Sequence, residues 1–222
     1  MTDQITSETT TRGEQPVEGF ALGAWVRANA IGLAVAYGLF GLFGDGIEIF
    51  LGVAHDSVAH DLAIMAGLFI GAAVFALMRR KVLAPHLGGS AWIAAAAAIS
   101  LAAGFAAGFV IAGPPFDFVL GVFALGTIGG ALQWRLVKDQ LARPGRLYLI
   151  GIGAWLAAAI AVLAVAIFTG DAIFDALGQP EEGTMFALVG FSAFLALLGL
   201  VGGAVGGAVE GAALRRRIGR PA

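Results

Sequence analysis

The chain has no cysteine among its 222 residues, which excludes disulfide bonds, thiolate metal sites, iron-sulfur clusters and cysteine nucleophiles. Charged residues are also scarce, since Asp, Glu, Lys and Arg make up 13% of the sequence, roughly half the share typical of soluble domains. The polar segment 1–20 lacks the basic start, short apolar stretch and cleavage site of a secretory signal peptide. We therefore expect a disordered cytoplasmic tail there, and we expect the first apolar span to remain in the mature protein.

Hydrophobic residues are abundant, at 59% of the sequence with a mean hydropathy of +0.89. A helix needs roughly 20 mostly apolar residues to cross the hydrocarbon core of a bilayer, and it satisfies its own backbone hydrogen bonds there. Six stretches between residues 21 and 218 meet this requirement, which predicts an all-α, six-helix transmembrane domain. The predicted spans are Trp25–Phe43, Leu62–Met78, Ala91–Ala112, Phe116–Val137, Leu147–Phe168 and Met185–Leu214.

Turn-forming sequences separate these spans. The predicted breaks are Gly44-Asp45-Gly46, Pro85, Gly113-Pro114-Pro115, Arg143-Pro144-Gly145 and the polar run from Gly170 to Thr184. The segment from Asp171 to Thr184 places Ile173, Phe174 and Leu177 among acidic residues. It is expected to form either a short amphipathic helix on the outer membrane surface or a solvated loop.

The basic residues predict the orientation. With a cytoplasmic N-terminus and six spans, all thirteen Lys and Arg residues fall on the cytoplasmic side, as the positive-inside rule of a bacterial inner membrane requires. The C-terminus is then cytoplasmic as well. The basic residues are Arg12, Arg27, Arg79, Arg80, Lys81, Arg135, Lys138, Arg143, Arg146, Arg215, Arg216, Arg217 and Arg220. The outer side holds Asp45, Glu48, Asp56, Asp61, Asp117, Asp171, Asp175, Glu181 and Glu182.

A threefold internal repeat is the most informative pattern in the sequence. The even-numbered spans share a pair of glycines four residues apart, and a basic residue follows the second glycine of each pair. These pairs are Gly67 and Gly71, Gly126 and Gly130, and Gly203 and Gly207. The odd-numbered spans begin with an Ala-Trp pair, at Trp25, Trp92 and Trp155, which we expect at the membrane interface. We predict three helical-hairpin repeats of parallel topology, at about 24–82, 91–142 and 154–218.

The glycine rows predict close helix packing. In lipid there is little hydrophobic force between helices, so small residues promote association by letting two backbones approach. The last span carries Gly199, Gly203, Gly207 and Gly211 at four-residue spacing, as in a glycine zipper. The expected result is a close-packed bundle without a wide aqueous pore.

The stretch Gly130-Ala-Leu-Gln133-Trp134-Arg-Leu-Val-Lys138, followed by Tyr148 to Ala154-Trp155-Leu-Ala, carries a family resemblance. It resembles uncharacterised bacterial multi-span membrane proteins in which a Gly-rich helix ends in Gln-Trp and a basic cluster. The resemblance covers spans four and five and implies a hairpin-repeat architecture. It implies no activity.

Two polar residues inside the spans are candidate site residues, because polar groups in hydrocarbon are costly. The repeat places Gln133 and Glu210 at the same depth as Val74. In a functional interpretation, Gln133 and Glu210 face a cytoplasmic vestibule where Glu210 binds a cation or carries a proton. In the structural interpretation, Glu210 pairs with an arginine such as Arg135 or Arg217, and Gln133 forms a hydrogen bond between helices.

The other polar residues have simpler interpretations. Arg27, near the inner end of span one together with Asn29, is expected to extend its guanidinium to the lipid headgroups. The first outer loop contains Glu48, His55, Asp56, His60 and Asp61. On a helix the two histidines would be about 140° apart, so we expect surface histidines rather than a zinc site.

These patterns support three hypotheses of function. The first is a non-enzymatic membrane protein with a packing, assembly or accessory role, associated with the lipid bilayer and with further copies or other membrane proteins. The second is a small-solute or ion transporter with a polar site near Gln133 and Glu210. An enzyme ranks third, because no acid, base and nucleophile share one depth. We expect no cofactor, no metal and no nucleic-acid partner.

Overall fold

A computed structural model places four long helices in the chain. The described residues are 20–54, 57–86, 144–176 and 184–216, with single positions at 97, 123 and 128. The helices are α1 (Leu22–Leu51), α2 (Val58–Leu83), α3 (Pro144–Ala176) and α4 (Met185–Arg215), and the described residues contain no strand. Each helix is long and apolar enough to cross a membrane. The prediction of an all-helical fold with membrane-spanning helices is confirmed for these four, whereas Ala91–Ala112 and Phe116–Val137 lie almost wholly outside the described residues.

Local sequence signals determine where the helices begin and end. The hydroxyl oxygens of Ser57 and Thr184 cap the first turns of α2 and α4, accepting hydrogen bonds from the backbone N–H groups of His60 and Ala187. Gly52 ends α1 in the left-handed conformation, with a φ of 62°, which glycine adopts at no steric cost. Pro85 follows the end of α2 as predicted, because proline cannot donate the next helical hydrogen bond.

Two predicted breaks differ from the structure. α1 continues through Gly44-Asp45-Gly46 to Leu51, and both glycines are buried against neighbouring helices at ordinary contact distances. A Cβ atom on Gly44 would lie 3.5 Å from Cγ1 of Ile64 on α2, and one on Gly46 would lie 3.8 Å from Cδ2 of Leu188 on α4. Packing between helices here outweighs the low helix propensity of glycine.

The second break, predicted from Gly170 to Thr184, begins later than expected. α3 continues to Ala176, so Asp171 and Asp175 belong to the last turns of a spanning helix rather than to a loop or a separate surface helix. Residues 177–183 lie outside the described residues. The hydroxyl of Thr169 donates a hydrogen bond of 2.7 Å to the carbonyl of Val165, which satisfies this polar side chain inside the helix.

α1 occupies the centre of the described bundle, since it packs against both α4 and α2, while α3 packs against α4. The main core is formed by buried residues of all four helices, among them Leu33, Phe75, Trp155 and Leu195. A second cluster joins the start of α1, the end of α2, the start of α3 and the end of α4 at one end of the bundle. Its buried members are Phe20, Trp25, Leu83, Leu147 and Leu214.

This shared end also collects the described basic residues, since they lie at or near the first turns of α1 and α3 and the last turns of α2 and α4. They are Arg27, Arg79, Arg80, Lys81, Arg146, Arg215 and Arg216. The described acidic residues lie near the opposite ends of the helices, except for Glu210. The segregation of charge in the sequence is therefore a segregation between the two ends of the folded bundle.

Large apolar side chains also cover the outside of the helices. Phe69 on α2, Ile160 and Phe168 on α3, and Val189 on α4 are all more than half exposed, with Phe168 at 82%. Soluble proteins seldom expose so much contiguous apolar surface. The distribution is typical of helices whose outer faces contact lipid tails.

Candidate functional site

A buried ion pair joins α2 to α4 near the basic end of the bundle. Nη2 of Arg79 donates a hydrogen bond of 2.9 Å to Oε2 of Glu210, and the two side chains are 4% and 3% exposed. The two residues meet because both helices run toward the basic end and each residue lies near the end of its helix. Charge-assisted contacts of this length are the strongest hydrogen bonds in proteins.

Arg79 is not one of the arginines that were expected to pair with Glu210. The expected partners were Arg135 and Arg217, which lie outside the described residues. Arg79 was grouped with Arg80 and Lys81 as a cytoplasmic anchor, but consecutive residues on a helix point about 100° apart. Three successive basic residues therefore spread over about 200° of the helix surface, which makes the run unlike a uniform solvent-facing anchor, and this signal was available in the sequence.

Two aromatic rings cover the guanidinium of Arg79. Its Cζ atom lies 4.5 Å from the ring centroid of Trp25 on α1 and 5.3 Å from that of Phe75 on its own helix. A cation over an aromatic face is stabilised by up to about 2 kcal/mol when both are desolvated. Three helices, α1, α2 and α4, therefore contribute to one charged cluster, which consists of Trp25, Phe75, Arg79 and Glu210.

The tryptophans are not placed at a lipid interface as expected. Trp25 is fully buried and Trp155 nearly so. The ring of Trp155 lies edge-on to Phe75 at 6.4 Å, and a Cβ atom on Gly206 would lie 3.0 Å from this indole. Both rings fill space against glycines of α4, because those glycines leave room for an indole. Trp92 lies outside the described residues.

The glycines of α4 form the surface on which α1 packs. A Cβ atom on Gly199 would lie 2.5 Å from the carbonyl oxygen of Leu33, and one on Gly207 would lie 2.8 Å from Cβ of Asn29. A Cβ atom on Gly203 would collide with the carbonyl of Asn29, and one on Gly211 with the indole of Trp25. Each of these four predicted packing glycines therefore contacts α1 so closely that a side chain there would clash.

The glycines of α2 pack against α1 in the same way. A Cβ atom on Gly67 would lie 3.0 Å from the carbonyl oxygen of Leu39, and one on Gly71 would lie 2.5 Å from Cα of Ala36. The corresponding residues of the middle repeat, Gly126 and Gly130, lie outside the described residues, as does Gln133. α1 is thus held between the glycine rows of two helices.

Three buried polar atoms on Trp25, Asn29 and Arg79 have no hydrogen-bond partner among the described residues. Nδ2 of Asn29 donates a hydrogen bond of 2.9 Å to the carbonyl of Trp25. Within the described part of the chain, Oδ1 of Asn29, Nε1 of Trp25 and Nε of Arg79 are buried without a hydrogen-bond partner. Two unused donors and one unused acceptor are therefore left on residues in the charged cluster or one turn from it, and a water molecule or a small polar solute would satisfy them.

The remaining predicted site residues lie elsewhere. Arg27 is exposed, and its Nε donates a hydrogen bond of 3.3 Å to the carbonyl of Gly23. His60 was expected on the surface, but it is only 5% exposed. Its Nε2 lies 3.2 Å from Oε1 of Glu48, because the extension of α1 to Leu51 places Glu48 beside the first turn of α2. Among the described residues, no group of three His, Cys, Asp or Glu side chains could hold a metal ion.

Comparison with known proteins does not connect the chain to a family. No protein-family model, no curated protein and no solved structure matches it. The chemistry of the charged cluster and the shape of the bundle are therefore the basis for a functional proposal.

Proposed function

We infer that the chain is a six-span protein of a bacterial inner membrane with cytoplasmic termini, and that its role is packing, assembly or accessory support rather than catalysis. The four described helices support this orientation, because their basic residues collect at one end of the bundle. An enzyme would need an acid, a base or a nucleophile left free to react. In the charged cluster, the carboxylate and the guanidinium are instead engaged with each other.

The observation that carries this proposal is that Arg79 and Glu210 are buried and paired with each other. An ionisable residue within a membrane span is a functional candidate by default. Here Glu210 is 2% exposed, and its charge is compensated by an arginine. Asn29 and Trp25 pack against the neighbouring glycines of α4, Gly207 and Gly211. Such a contact holds three helices together and leaves the carboxylate without access to solvent.

The proposed architecture is three helical hairpins of parallel topology, and the first and last hairpins support it. Each pair of helices, α1–α2 and α3–α4, begins and ends at the basic end of the bundle, as expected of hairpin repeats of parallel topology. The two tryptophans differ in depth, since Trp25 is the fourth residue of α1 and Trp155 is the twelfth residue of α3.

The orientation can be tested with single cysteines, since the chain has none of its own. Ala54→Cys lies in the turn after α1 and Arg216→Cys lies after α4, and both positions are exposed. A membrane-impermeant maleimide should label Ala54→Cys in cells with an opened outer membrane, and Arg216→Cys only after the inner membrane is broken. The reverse labelling pattern would contradict the cytoplasmic placement of the basic end.

The assembly role predicts that the 22.5 kDa chain occurs in the membrane as part of a larger complex. After extraction in mild detergent and transfer to lipid nanodiscs, native mass spectrometry should show further copies or a stoichiometric membrane-protein partner. Chemical crosslinking in intact membranes should give the same composition. A single copy with no stoichiometric partner in both measurements would contradict this role.

A second candidate function is the transport of a proton or small solute, and the unpartnered atoms of Trp25, Asn29 and Arg79 favour it. The test is reconstitution into liposomes carrying a pH gradient, with a pH-sensitive dye inside. A structural role predicts the same leak as protein-free liposomes. Flux through the unmodified protein that is lost in a folded Arg79→Met/Glu210→Leu double variant would favour transport instead.

A further inference from the structure

A groove of about 530 Å³ runs along α2 near the basic end of the bundle. Among the described residues, its lining is Val74, Leu77, Met78, Arg80, Lys81 and Ala84. Its size falls within the range of sites that hold small ligands. The charged cluster lies outside this lining, so the groove is a separate feature of the molecule.

The two cations of the groove, Arg80 and Lys81, directly follow Arg79 in the sequence of α2. Arg79 turns inward to Glu210, whereas Arg80 and Lys81 are exposed. No carboxylate among the described residues forms an ion pair with either of them. With respect to the described part of the chain, both cations are therefore available to an anion.

The rest of the lining is apolar and extends toward the membrane interior. Val74 and Leu77 precede Arg80 by six and three residues, which places them about 9 Å and about 5 Å further along the helix axis. Leu77 is 51% exposed. The groove thus has cations at its end near the headgroups and hydrocarbon side chains at its deeper end.

We propose that this groove binds an anionic phospholipid, with the phosphate between Arg80 and Lys81 and an acyl chain along Val74 and Leu77. The described lining belongs to α2 and its C-cap alone, and Lys and Arg clusters at the cytoplasmic end of a spanning helix attract anionic headgroups. A free phosphate would leave the apolar end of the groove unfilled. A zwitterionic lipid would fill that end and leave the two cations without a net counter-charge.

The test is native mass spectrometry of the purified protein with phosphatidylglycerol, phosphatidylcholine or inorganic phosphate. The protein should retain phosphatidylglycerol in preference to phosphatidylcholine. Arg80→Gln/Lys81→Gln should weaken phosphatidylglycerol binding about thirtyfold, as expected for two basic residues at an anionic surface. The matched control is Arg215→Gln/Arg216→Gln, which removes two exposed charges at the end of α4, outside the groove lining, and should change binding less than about threefold.

A second variant tests the apolar end. Leu77→Trp keeps both cations and fills the groove, so it should reduce phosphatidylglycerol binding while leaving the thermal unfolding midpoint unchanged. Equal losses in the α4 control would overturn the proposal, because they would show general attraction of charge. Displacement of the lipid by inorganic phosphate, or undiminished binding in Leu77→Trp, would also overturn it.

Discussion

Glu210→Gln should lower the free energy of unfolding by about 3–5 kcal/mol, because it leaves the buried guanidinium of Arg79 without its counter-charge. Arg79→Met should be similarly destabilising, since it strands the carboxylate. The double variant Arg79→Met/Glu210→Leu should recover most of the lost stability, because apolar residues of similar volume often replace a buried ion pair without loss. Unfolding in mixed detergent micelles, followed by tryptophan fluorescence, measures all three variants.

The control for this prediction is Glu48→Gln, which makes the same chemical change at a more exposed carboxylate, where Oε1 of Glu48 lies 3.2 Å from Nε2 of His60. The side chain of Glu48 is 30% exposed where it contacts His60, so the loss should be about 1 kcal/mol or less. A double variant as unstable as Glu210→Gln would show that the pair does more than neutralise two buried charges. Equal effects of Glu210→Gln and Glu48→Gln would contradict the importance of burial.

Gly203→Ala should cost about 1–3 kcal/mol of stability, because the added methyl group has no space between α1 and α4. It would collide with the carbonyl of Asn29 and would lie 2.8 Å from Cα of Ala30. The two helix backbones must separate to admit it, which also loosens the contacts of Gly199 and Gly207 with α1. The same unfolding measurement detects the loss.

Gly153→Ala is the matched control, since Gly153 is exposed on α3 and a Cβ atom there would meet nothing within 4 Å. This substitution should be neutral or stabilising by up to about 1 kcal/mol, because alanine has the higher helix propensity. If the two substitutions had the same effect, backbone propensity rather than contact between α1 and α4 would be the cause.

The sequence was sufficient to predict the four described spans and the clustering of their basic ends, because hydropathy and charge act on each segment separately. Helix ends were less predictable. Gly44-Asp45-Gly46 and Gly170 have the composition of loops, but α1 and α3 continue through them, and Gly44 and Gly46 are buried against other helices. Such neighbours are a property of the folded bundle and leave no signal in the local sequence.

The candidate site was predicted in part. The depth of Glu210 and the four-residue spacing of the glycines of α4 could be read from the sequence, because both are counted from the basic residues at the end of the span. The partner of Glu210 did not follow, since Arg79 is 131 residues away along the chain. The roles of Trp25 and Asn29 also depend on which face α1 presents to α4, and an almost uniformly apolar helix carries little periodicity from which to predict that face.

The separation of Arg79 from Glu210 has a consequence for biosynthesis. At translation rates of about 5–20 residues per second, Arg79 leaves the ribosome roughly 7–26 seconds before the carboxylate that neutralises it. During that interval the first hairpin has its guanidinium near the membrane interior without a counter-ion. Insertion of α4, which carries Glu210, ends the interval. A chain truncated before α4 keeps the guanidinium of Arg79 without the counter-charge that it has in the folded bundle.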